Sequence, residues 1–168
     1  MSVVGEGCPL GSFSTLIDTP GASAKASFDI FAIRAGNNEP VINKSLACDV
    51  AVTVSFPGSC KQAVLWTRTD AYVLLAQDAE AMAKVSTPFS LAGGTASGSP
   101  PDLVYNSVAG QNLEVDIGRI YDVNISASGS TATFGAHLEI FLNAPNAELQ
   151  SNVVLNGFGL RISQEGLC

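Results

Sequence analysis

The chain has 168 residues, enough for one packed core, and its 46% hydrophobic against 14% charged content excludes an intrinsically disordered chain. Eight Lys and Arg against fifteen Asp and Glu leave a net charge of -7, the wrong sign for holding phosphates or anionic lipid heads, and the cations are scattered singly along the chain. Nucleic acid and membrane are therefore not expected partners, and no cofactor is expected.

The N-terminal run Met1-Ser2-Val3-Val4-Gly5-Glu6 has neither a basic start nor an apolar stretch, so no secretory signal is visible, and nowhere is a run long enough to span a bilayer. Ser27 to Ile33 carries apolar residues on both parities, as a strand covered on two faces does, and ends in the turn-rich Ala35-Gly36-Asn37-Asn38-Glu39-Pro40. Cys48, Val50, Val52, Val54 and Phe56 recur with period 2, a strand with one apolar face that Pro57-Gly58 stops. Further strands are expected at 63–69, 71–76, 103–106, 113–117, 121–127, 131–142 and 153–162, separated by Gly, Pro, Asn and Ser clusters. Gln77 to Lys84 is made of helix formers with Glu80 four residues before Lys84, but a helix this short is marginal alone, and a turn followed by a strand is expected there. About ten short strands without strand-helix alternation predict a single all-β domain over 1–168, an antiparallel β-sandwich of jelly-roll-like type.

Four cysteines stand at positions 8, 48, 60 and 168, without the spacing of a zinc site. An even count favours two disulfides and an oxidising, extracellular compartment. Three pairings exist, and Cys48 with Cys60 plus Cys8 with Cys168 is favoured, one closing a short segment and the other tying the ends together. Asn43-Lys44-Ser45 and Asn124-Ile125-Ser126 are glycosylation acceptor triplets that fit a secreted chain.

Catalytic groupings are sparse. His137 is the sole histidine and no G-x-S-x-G elbow occurs, which speaks against a hydrolase triad. His137 and Glu139 share a strand face, as do Glu114 and Asp116, with Asp102 and Asp122 on neighbouring segments. The first pair reads as a solvated face rather than a ligand pair. The second has a separation glycosidases use, yet acidic residues at period 2 are also how a sandwich keeps an outer face wet. No calcium loop of D-x-[DN]-x-[DN]-G form is present. Trp66, Tyr72, Tyr105 and Tyr121 are candidates for stacking on a sugar, with Arg68 on the same strand face as Trp66; for Trp66 itself, a place in the core is the preferred expectation.

The order Gly7-Cys8-Pro9-Leu10-Gly11-Ser12, then Phe28 to Gly36, then Cys48 leading into a Val-rich strand ending Phe56-Pro57, resembles a family of small secreted fungal proteins, domain of unknown function 4360. Ala63-Val64-Leu65, Ala71 to Leu75 and Val85 to Ser90 resemble its central region. The resemblance covers about the first 90 residues well and the remainder loosely. It implies a secreted all-β domain of a filamentous fungus with no catalytic residues to transfer. A Pro-Cys-Gly element expected in the second half is absent, and Cys60 and Cys168 are additional, so no cysteine pairing is carried over. The functional expectation is a secreted, non-enzymatic module that binds an extracellular protein or glycan. Its rivals are a self-associating surface protein, on account of Ala-, Gly- and Val-rich strands with few charges, and a polysaccharide hydrolase acting through Glu114 and Asp116.

Overall fold

The computed structural model describes residues 1–18, 22–36, 42–56, 62–75, 82–86, 89–97, 103–106, 112–125, 131–145 and 148–163. Within them lie thirteen strands and no helix: β1 (Ser2–Val4), β2 (Phe13–Asp18), β3 (Ser23–Phe28), β4 (Ala32–Ala35), β5 (Ile42–Ser55), β6 (Gln62–Leu74), β7 (Met82–Ser86), β8 (Phe89–Ala92), β9 (Gly94–Ser97), β10 (Leu103–Asn106), β11 (Asn112–Ile125), β12 (Thr131–Ala144) and β13 (Ser151–Ser163). All pairings are antiparallel. One sheet runs β1-β5-β12-β7-β10, with β8 also on β12; the other runs β2-β3-β13-β6-β11-β9, with β4 also on β13.

Alternating burial explains why the two sheets pack together. In β6 Ala63, Leu65, Ala71 and Val73 point inward, and in β12 every second residue from Ala132 to Ala144 is buried. These faces meet Val50 and Val52 of β5 and Val153, Leu155, Phe158, Leu160 and Ile162 of β13 in one apolar core. Phe56 and Phe134 meet there with ring centroids 6.4 Å apart, and Phe28 lies edge-on to the fully buried Phe31 at 5.4 Å.

In β13 the apolar residues change parity, from Val153 and Leu155 to Phe158, Leu160 and Ile162. A β-bulge absorbs the change: Leu155 pairs with Ala71 and Gly157 with Asp70, leaving Asn156 as the extra residue. Beside it the partner strand breaks too, since β3 ends at Phe28 and β4 begins at Ala32, with the Phe31 carbonyl accepting from the Leu155 N–H at 2.9 Å.

The expected all-β sandwich is present, with two departures. The strands outnumber the expected ten, and β5, β6, β11, β12 and β13 are 13 or 14 residues long. The expected breaks at 70 and at 118–120 do not occur, because Asp70 and Gly118 sit at solvent-facing positions of continuous strands.

The cysteine pairing also differs from expectation. Cys8 is bonded to Cys48, their Cα atoms 5.7 Å apart, which rules out both Cys48 with Cys60 and Cys8 with Cys168. The cause is the pairing of β1 with β5, which sets Val4 opposite Asp49. The Gly7 N–H then donates to the Ala47 carbonyl at 2.9 Å, bringing Cys8 alongside Cys48 as the chain leaves one sheet for the other. Cys60 and Cys168 lie outside the described residues.

Candidate functional site

The outer face of the seven-stranded sheet carries the site. Along β6, Gln62, Trp66 and Arg68 are exposed while their odd-numbered neighbours are buried. Register fixes who stands beside them. Trp66 pairs with Ile120 of β11 on one side and with Arg161 of β13 on the other, and Arg161 pairs with Ser23 of β3. One row along, Arg68 pairs with Gly118 and with Gly159, and Gly159 with Lys25.

Trp66 is 49% and Ile120 58% exposed, so the two form an apolar ledge in contact with water. Beside it the glycines leave the surface low. A side chain at Gly118 would meet nothing within 4 Å, and one at Gly159 only the Ala24 and Arg68 carbonyls at 3.9 and 4.0 Å. The result is an open depression of about 710 Å³ with Trp66 and Ile120 along one margin and Lys25, Arg68 and Arg161 around it. The Arg68 Nε donates to the Asp70 carboxylate at 3.0 Å, an i,i+2 contact on the same face that holds the guanidinium along the strand. A second hollow, of about 520 Å³, opens at the sandwich margin near Ile17, Val52, Val54 and Ile162, but among the described residues no aromatic side chain lines it.

Trp66 is thus not a core residue, contrary to expectation. Its parity is shared with Arg68 and Asp70, and a strand that buried the indole would have buried two charges with it. Tyr72 lies on the same face, half-buried, about 20 Å along β6 from Trp66. Tyr121 pairs with Leu65 on β6, and Tyr105 lies on β10 in the other sheet; the side chains of both lie outside the description. Lys25, Arg161 and Ile120 went unrecognised in the sequence, because they come from three different strands and only the sheet register brings them together.

Glu114 and Asp116 stand opposite Tyr72 and Asp70; their side chains, and Asp102 altogether, lie outside the description. Asp122 is exposed farther along β11. On the six-stranded sheet, exposed His137 does not pair with Glu139. Its Nδ1 donates instead to the Asp49 carboxylate at 2.6 Å, across the β5–β12 pairing. Thr53 and Thr133 hydroxyls meet at 2.9 Å nearby, so this face is wet, as expected. Among the described residues no group of three or more His, Cys, Asp or Glu is placed to hold a metal, and no helix is long and apolar enough to cross a membrane. Asn43 and Asn124 are both exposed, the latter accepting from Gln62 Nε2 at 3.4 Å.

No curated protein matches the chain. Among solved structures it is similar to TmCBM61 in complex with beta-1,4-galactotriose (10% identity, 98% of this chain and 88% of that one, TM-score 0.31). It is also similar to a family two carbohydrate esterase from Cellvibrio japonicus, at 14% identity over 91% of this chain and 34% of the esterase, TM-score 0.28. A third is the CBM36-1 domain of a multidomain xylanase from the hindgut metagenome of Trinervitermes trinervoides, at 13% identity over 95% of this chain and 94% of that domain, TM-score 0.23. The family comparison is extensive: the model described as domain of unknown function (DUF4360) matches residues 1–164, the second half as well as the first, and the chain belongs to that family.

Proposed function

We propose that the chain is an extracellular, non-enzymatic carbohydrate-binding module whose site is the Trp66 face of the seven-stranded sheet. The observation that carries this is a half-exposed indole standing beside a floor kept low by Gly118 and Gly159. A sugar ring has an apolar face and a polar rim. An indole flanked by hydrogen-bonding side chains suits both, and a low floor lets a chain of rings lie flat. The disulfide supports an oxidising compartment.

The test is a glycan array followed by calorimetric titration of wild type and Trp66→Ala. Trp66 is exposed, so the substitution is expected to change folding stability by no more than about 0.5 kcal/mol while weakening sugar binding at least about tenfold. Absence of binding to every glycan, or equal binding by both proteins, would overturn the proposal.

One observation favours a second reading, a self-associating surface protein. β2 is the last strand of its sheet and exposes Leu16 and Ile17 at 66% and 56%. Sedimentation at high concentration decides it, a strict monomer excluding it.

A further inference from the structure

We infer that the groove selects acidic sugars, so that its occupant is a polysaccharide carrying carboxylates, a polymer of uronic acids. This rests on the glycan-binding reading and adds the substrate class. The carrying observation is one of charge placement. The molecule as a whole has nearly two acids for every base, yet three of its eight cations, Lys25, Arg68 and Arg161, surround this one depression, and among the described residues no carboxylate lines it. Arg68 is engaged by Asp70; Lys25 and Arg161 extend the positive charge across the β3 and β13 side of the groove.

The spacing suits the chemistry. Arg161 is one strand from Trp66, about 4.8 Å, and Lys25 is two strands from Arg68 with only Gly159 between them. A ring stacked on the indole places its carboxylate substituent towards the neighbouring guanidinium, whose planar fork matches a carboxylate. The next ring crosses the bare glycine row towards Lys25. Asp18 stands opposite Ser23 on β2 and Asp122 two residues beyond Ile120 on β11, and neither lines the depression. Among polyanions, a uronate chain, with one charge per ring, fits three cations on a molecule of net charge -7. Nucleic acid, charged every 1.7 Å or so along the duplex, does not.

The experiment titrates the full chain with oligomers of galacturonate, mannuronate and glucuronate, each beside its methyl ester, which keeps the rings and removes the charge. Single-stranded DNA serves as a further polyanion. At least one acid is expected to bind about tenfold tighter than its ester. K25Q/R161Q should lose that preference, its affinities for acid and ester becoming equal, K25R/R161K should keep it, and W66A should weaken acid and ester alike. Equal affinity for acid and ester, a preference that survives in K25Q/R161Q, or tighter binding of DNA than of any uronate would overturn acid selection while leaving the glycan reading in place. Binding of neutral sugars alone would do the same. No binding to acid, ester or neutral sugar would overturn both.

Discussion

Gly118 and Gly159 work by having no side chain. Neither has the positive φ that would demand glycine, and the space above Gly118 is open, so a larger residue fits without strain. Gly118→Val is therefore expected to leave stability unchanged or raise it by up to about 1 kcal/mol, since valine favours strands. It should nonetheless weaken glycan binding at least about tenfold by filling the floor beside Trp66. Urea unfolding and calorimetry on the same protein would show whether the two effects separate. At the same scale, the exposed His137–Asp49 pair is expected to matter little. His137→Ala should cost no more than about 1 kcal/mol in urea unfolding, as is usual for pairs open to water. The orientation of Trp66 was legible in the sequence, because Arg68 and Asp70 share its parity and could not have followed it into a core. The general abundance of aromatics in cores outweighed that local signal. His137's partner was not legible, since Asp49 lies 88 residues away and only the β5–β12 register brings it near.

Strands are the next level, and here the sequence said more. Period-2 alternation identified the core face of β5, the expected strands at 131–142 and 153–162 lie within β12 and β13, and β10 at Leu103–Asn106 coincides with its expected span. Alternation located strands better than it located their ends. Charged or glycine residues at outward positions, such as Asp70 and Gly118, were mistaken for breaks, although an outward position tolerates them without interrupting the backbone ladder. The parity change between Leu155 and Phe158 is equally visible in the sequence and foretells the bulge at Asn156. The short β8 and β9 left no such trace. They are joined through Gly93 at φ +89°, where a side chain would lie 2.7 Å from the Thr131 carbonyl, so the link between sheets depends on glycine there. Within β12, Phe134 is 2% exposed and packs on Phe56. Phe134→Ala is expected to cost about 3 to 5 kcal/mol, read as a lower urea midpoint, because the surrounding strands cannot collapse into the space.

For the whole molecule the Cys8–Cys48 disulfide adds a covalent tie to the β-ladders that join the N-terminal strands to β5 and β13. Cys8 and Cys48 are separated by 40 residues, and the chain-entropy estimate for a loop of that length is about 4 kcal/mol. The double variant Cys8→Ser with Cys48→Ser should lose a stability of that order, visible as a lower thermal midpoint, and wild type under reductant should behave similarly. This pairing was hidden from the sequence because it follows from β1 lying against β5, and a three-residue strand carries too little pattern to announce its neighbour. Among the described residues, no strand except β2 pairs with its immediate successor, and nine of the twelve steps from one strand to the next change sheet. The surface that bears Trp66 is woven from β3, β6, β11 and β13, spanning residues 23 to 163. No excised peptide reproduces that surface, so recognition is an emergent property of the finished weave, and a bound sugar would certify that the last crossing had been made.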